Sequence, residues 1–88
     1  MAQTAVASAA TSTVLLAATT SAPRQRIIIE NSDANRLHVN LDSAAATTTT
    51  AYSFSLAQYE NAIIENFGGE IRGIWAADGS GHALITTY

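Results

Sequence analysis

The 88-residue chain has no cysteine, no lysine, one proline and one tryptophan, and no charged residue before Arg24. Without cysteine it has neither a disulfide nor a thiolate metal site, the two common staples of small domains. The same absence leaves the redox compartment undetermined. All four basic residues are Arg, which suits fixed bidentate pairing more than a solvated point charge. A net charge of -3 argues against a duplex-binding surface. The longest apolar run near the start, residues 14–18, is far short of the roughly 20 residues of a membrane-spanning helix. It resembles a short leader core, but no Lys or Arg precedes it, so a cleaved leader is not expected.

A single domain of this length buries only roughly 60 to 65% of its unfolded surface, so its margin of stability is small. With the covalent staples gone, oligomerisation is the one left. The uncharged segment at residues 1–23 carries, after Met1, only Val6, Val14, Leu15 and Leu16 as large apolar side chains. Such a segment frays unless something holds it. The expected division is therefore an extended N-terminal arm over residues 1–11, lying against a neighbouring subunit, and a β-sandwich domain over residues 12–88.

Strand patterning dominates the body. Residues 36–42 alternate polar and apolar, aiming Leu37, Val39 and Leu41 at a core, and residues 52–56 do the same with Tyr52, Phe54 and Leu56. Residues 26–30 are apolar on both faces, as in a central strand. The turn-forming residues 31–35 predict a hairpin joining that strand to residues 36–42. Residues 70–77 and 82–88 flank Asp78-Gly79-Ser80-Gly81 and read as a second hairpin. In its first limb Ile71, Gly73 and Trp75 share a face, and Gly73 leaves room for a close approach beside Trp75. Residues 12–18 add a strand, and the Ala/Thr tract at 43–51 reads as a surface loop or edge.

Residues 56–67 admit two readings. Leu56, Tyr59, Ile63 and Phe67 fall on one helical stripe that Gly68 would end, with Ser55 and Gln58 able to form a capping box. The strand reading, with turns around Asn61 and Asn66 and a short strand at 62–65, is preferred because residues 52–56 enter as a strand. The fold class expected is all-β: a small sandwich or barrel of six to seven short, mainly antiparallel strands.

Candidate chemistry is sparse. His38 and His82 sit at outward strand positions, and a metal site would need them adjacent with Asp42 or Asp78 as a third ligand, which the spacing does not require. Glu60, Glu65, Glu70 and Asp78 could supply a glycosidase pair only in a cleft for which so small a sandwich has little volume. Ser80 lacks a nucleophile-elbow context, and Gly79 and Gly81 lack the helix and Lys of a phosphate loop. Trp75 with Tyr52, Tyr59 and Tyr88 would make a sugar-binding platform, but Trp75 alternates onto the face of Ile71, as a core residue does. No catalytic, cofactor or metal residue is assigned, and the chain is read as a non-enzyme.

The run Gly69-Glu70-Ile71-Arg72-Gly73-Ile74-Trp75-Ala76-Ala77-Asp78-Gly79-Ser80-Gly81-His82-Ala83-Leu84-Ile85-Thr86 resembles the C-terminal hairpin of small virion proteins from tailed bacteriophages and prophages. Residues 14–18, 26–31 and 37–41 resemble other strands of those proteins, so the likeness covers about residues 14–86. It departs after residue 56, where such proteins have a Pro/Gly-rich turn and this chain has neither residue through Glu65. The resemblance implies a virion location and a capsid decoration, or cement, protein that stabilises the head as a homo-oligomer on the major capsid protein. A place at a tail, baseplate or fibre junction is the alternative, with a small carbohydrate-binding module behind it. Neither nucleic acid nor membrane is an expected partner.

Overall fold

The computed structural model describes residues 2–19, 23–41 and 52–88; the tract at 43–51 and Asp42 lie outside them. Among the described residues there is no helix, and eight strands form two antiparallel four-stranded sheets. The strands are β1 (Ala2–Ala7), β2 (Thr13–Leu16), β3 (Arg24–Asn31), β4 (Leu37–Leu41), β5 (Phe54–Leu56), β6 (Asn61–Phe67), β7 (Ile71–Trp75) and β8 (His82–Thr87). Sheet I has the order β1-β8-β3-β6 and sheet II the order β2-β7-β4-β5. The fold is an all-β sandwich.

Alternation builds the core. Ile27, Ile29, Ala83 and Ile85 from sheet I meet Leu15, Leu37, Val39, Leu56, Ile71 and Trp75 from sheet II, all buried. Burying a side chain of this size contributes about 1.5–3 kcal/mol. Strand β3, apolar on both faces, is central in its sheet as its composition predicts. Gly73 opens the space expected of it: a Cβ there would lie 2.8 Å from Leu15 Cδ1 and 2.9 Å from Leu37 Cδ1. The disputed segment is a strand, longer than expected, and its turn lies at residues 57–60 rather than around Asn61.

Three expectations are corrected. First, the arm is not separate from the sandwich: Ala2–Ala7 pairs with β8 from Ala2↔Thr87 to Ala7↔His82, so β1 is an eighth strand of sheet I. Second, neither hairpin forms. β3 and β4 lie in different sheets, and so do β7 and β8. Only the β4–β5 connection stays within a sheet; each of the others crosses to the opposite one. In keeping with a crossing, neither Gly79 nor Gly81 has the positive φ that a primed hairpin turn requires. Third, Tyr52 turns outward, 44% exposed, and its ring stands edge-on to His38 at 4.7 Å.

Candidate functional site

The densest arrangement of polar side chains lies where the β3–β4 and β7–β8 crossings meet. Asn31 continues the inward phase of Ile27 and Ile29 by the two-residue period of a strand, and it is fully buried. Its Nδ2 donates to the carbonyls of Asn35 (2.9 Å) and Leu56 (3.1 Å), and its Oδ1 accepts from Trp75 Nε1 (3.0 Å) and the Asp33 N–H (3.1 Å). All of the amide's hydrogen-bonding directions are used, and the buried indole obtains the partner it needs.

Asp33, also buried, accepts from the Asn35 N–H (2.7 Å) and Asn35 Nδ2 (2.9 Å) on one oxygen and from the Gly81 N–H (2.9 Å) on the other. The Asn35 N–H contributes most to holding the carboxyl below its ordinary value of 3.8, against the opposing effect of burial. The Ser8 hydroxyl lies close enough to favour the charged form, although its geometry falls short of a hydrogen bond. A Cβ on Gly81 would fall 2.6 Å from Asp33 Cα, and one on Gly79 would strike the Asp33 carboxylate. These glycines therefore serve close approach, not positive φ. The β1–β2 crossing joins the same end: Trp75 N–H donates to the Ala9 carbonyl (3.0 Å) and Ala10 N–H to Asp78 Oδ1 (2.7 Å).

An open depression of about 470 Å³ sits over this end, lined by residues that include Ser32, Asp33, Gln58, Ser80 and His82. Its one buried carboxylate already accepts from three N–H groups, so the arrangement locks three crossings together rather than presenting a free base or ligand.

The other candidates are scattered. His38 and His82 lie in different sheets. His38 is buried beneath Tyr52 with Nδ1 unpaired, not exposed as its outward position predicts. Glu60 accepts from the Ala57 N–H, Glu70 pairs with Arg72 at 2.8 Å, Asp78 holds Ala10, and Glu65 stands across from Arg26. Among the described residues no three His, Cys, Asp or Glu side chains gather as metal ligands would. Trp75 is fully buried, so the aromatic platform does not form, and Tyr52, Tyr59 and Tyr88 belong to separate places. Tyr88 N–H bonds the Arg26 carbonyl, with the Arg26 guanidinium 6.0 Å from its ring, while Tyr59 N–H bonds Asn31 at the other end of β3.

Sequence reasoning treated Asn31 and Asp33 as turn residues and missed their burial. The available signal was the period of two: positions 27, 29, 31 and 33 share one phase, and a core tryptophan needs an acceptor. Compared with protein-family models, curated proteins and solved structures, the chain matches none.

Proposed function

We propose that this chain is a non-enzymatic structural protein of a tailed-phage particle, a capsid decoration or cement protein that binds the head shell as a homo-oligomer. The observation that carries the reading is the outer face of sheet I. Cross-strand pairing sets Ile28 beside Ile63, which is 59% exposed, and Leu84 lies two positions along β8 from Thr86, the other neighbour of Ile28. Ile63, Ile28 and Leu84 set large apolar side chains on three adjacent strands of this face, β6, β3 and β8, and such a cluster on so small a domain suits burial against a protein lattice. The resemblance of residues 69–86 to phage virion proteins supports the same reading, and the polar cluster around Asp33 is occupied in holding the fold.

The test is to locate the chain in purified particles. Copies on the scale of the shell lattice, with heat or osmotic resistance lost on their removal, are the expected result. A copy number set by a tail ring would move the protein to a tail or baseplate junction, and absence from particles would overturn the reading. Ile63→Glu should weaken shell binding while leaving the core untouched.

A further inference from the structure

We propose that two copies of this chain pair through β1, antiparallel about a two-fold axis at Ala5, so that the two sheets I become one continuous sheet. The inference deepens the homo-oligomer part of the reading above and rests on it only there.

Each sheet ends in two edge strands, and natural proteins protect such edges with brevity, bulges, twists, charge or proline. Three of the four edges here are protected. β5 has three residues. β2 has four, with a register shift between Val14 and Leu16. β6 carries Glu65 and is interrupted by Asn66 at a φ of 53°. β1 has none of these devices: six residues, Ala-Gln-Thr-Ala-Val-Ala, in unbroken register with β8 and without charge or proline.

The backbone of β1 points half its groups at that edge. The Ser8 N–H donates to the Gly81 carbonyl, so by the alternation of an antiparallel ladder the even positions face β8. Gln3, Ala5 and Ala7 therefore aim N–H and C=O away from the sheet, and among the described residues no strand pairs there.

The occupant follows from charge and size. A two-fold contact sets each residue against its own equivalent or a near neighbour, so a charged edge opposes itself. β1 is neutral throughout, and a pairing centred on Ala5 places Ala5 against Ala5 and Gln3 against Ala7, so every pair has an alanine on at least one side and the strands can approach. Each hydrogen bond formed replaces one to water, so the cost of pairing lies mainly in ordering, which the rigid β1–β8 ladder has already met.

Light scattering behind size exclusion should show a dimer of the intact chain. Ala5→Pro removes one outward N–H without touching the bonds to β8, and Ala5→Lys sets two charges together; each should give a monomer with unchanged circular dichroism. Because the chain has no cysteine, Ala5→Cys is a clean reporter. Cα atoms of a hydrogen-bonded pair stand about 5.5 Å apart, within disulfide range, so this variant should oxidise to a covalent dimer. Ile63→Cys, on the opposite edge, should not. A monomeric intact chain, a dimer that survives both folded variants, or equal cross-linking at positions 5 and 63 would each overturn the proposal. Should the two variants fail to fold, the cysteine pair decides. A β1 dimer on a chain absent from particles would leave this inference standing and remove the virion reading.

Discussion

The two margins of sheet I follow opposite rules. At the end where Asn31, Asp33 and Trp75 meet, buried polar groups are matched closely: one amide uses all its directions and one carboxylate holds two loops. Along β1 the side chains are neutral and mostly small, and the outward backbone groups pair with no strand among the described residues. The first region supplies stability within one copy, because breaking a buried polar match leaves the surviving partners unsatisfied. The second contributes to one copy mainly through its bonds to β8, and its free side is available to another chain. Variants at the crossings should therefore change unfolding, and variants at the β1 edge should change assembly.

Trp75→Ala should have the largest effect. It removes the largest core side chain and leaves Asn31 Oδ1 short of a donor. Truncating such a residue costs about 3–5 kcal/mol, a large part of the total for a domain of this size. Urea unfolding should show a midpoint near zero denaturant, and a loss below about 1 kcal/mol would mean that the end where the crossings meet is not the stabilising region.

Asp33→Asn comes next, at about 2–3 kcal/mol, because the new amide turns an N–H group toward the Gly81 N–H it must now face. The pH dependence has a definite sign. The folded carboxyl lies below its ordinary 3.8, so its contribution is complete above that value and is lost as pH falls through the folded pKa. Thermal melts should show a steeper acid loss in the parent than in Asp33→Asn. Parallel curves would mean that the three N–H donors do not favour the charged form.

How much of this could be read beforehand depends on what alternation encodes. It identified Leu37, Val39, Ile71 and Trp75 as inward, because a strand's two faces differ wherever one is buried. It could not say whether the next strand lies alongside or crosses to the opposite sheet, since both place the same residues inward. Residues 31–35 and 78–81 carry turn chemistry in either case, so both hairpins were plausible from sequence and both are crossings. What separates the alternatives is long-range: Asp33 reaches Gly81 across 48 positions, and no local pattern records that contact. The β1 strand was missed for a related reason, because its Ala/Thr composition carries little hydrophobic signal and its order comes from β8.

The glycines allow a finer comparison within the locked region. Gly81→Ala would press a methyl onto the Asp33 backbone at 2.6 Å, where nothing can swing aside, whereas Gly73→Ala meets the mobile ends of Leu15 and Leu37 at 2.8 and 2.9 Å. Overpacking costs about 1–3 kcal/mol, and Gly81→Ala should lie at the upper end with Gly73→Ala below it. The reverse order by chemical denaturation would show that the crossing yields more readily than the core.

The smallest effect should run the other way, toward greater stability. Tyr59 has a φ of 65°, a conformation that a bulky side chain rarely adopts, and is 70% exposed. It occupies the third position of the turn closed by the bond from Glu60 N–H to the Ala57 carbonyl, where positive φ favours Gly or Asn. Its own N–H is fixed on the Asn31 carbonyl, so the backbone there is set by the locked region while the ring points into solvent. Left-handed geometry costs an L-residue about 1–2 kcal/mol, and glycine offsets part of that relief through its greater unfolded freedom. Tyr59→Gly should therefore raise stability by about 0.5–1 kcal/mol, a few degrees in a thermal melt, without changing the oligomeric state. A fall in stability would mean that the exposed ring packs well enough to outweigh the strain, extending the locked region beyond the Asn31 carbonyl to the surface of the turn.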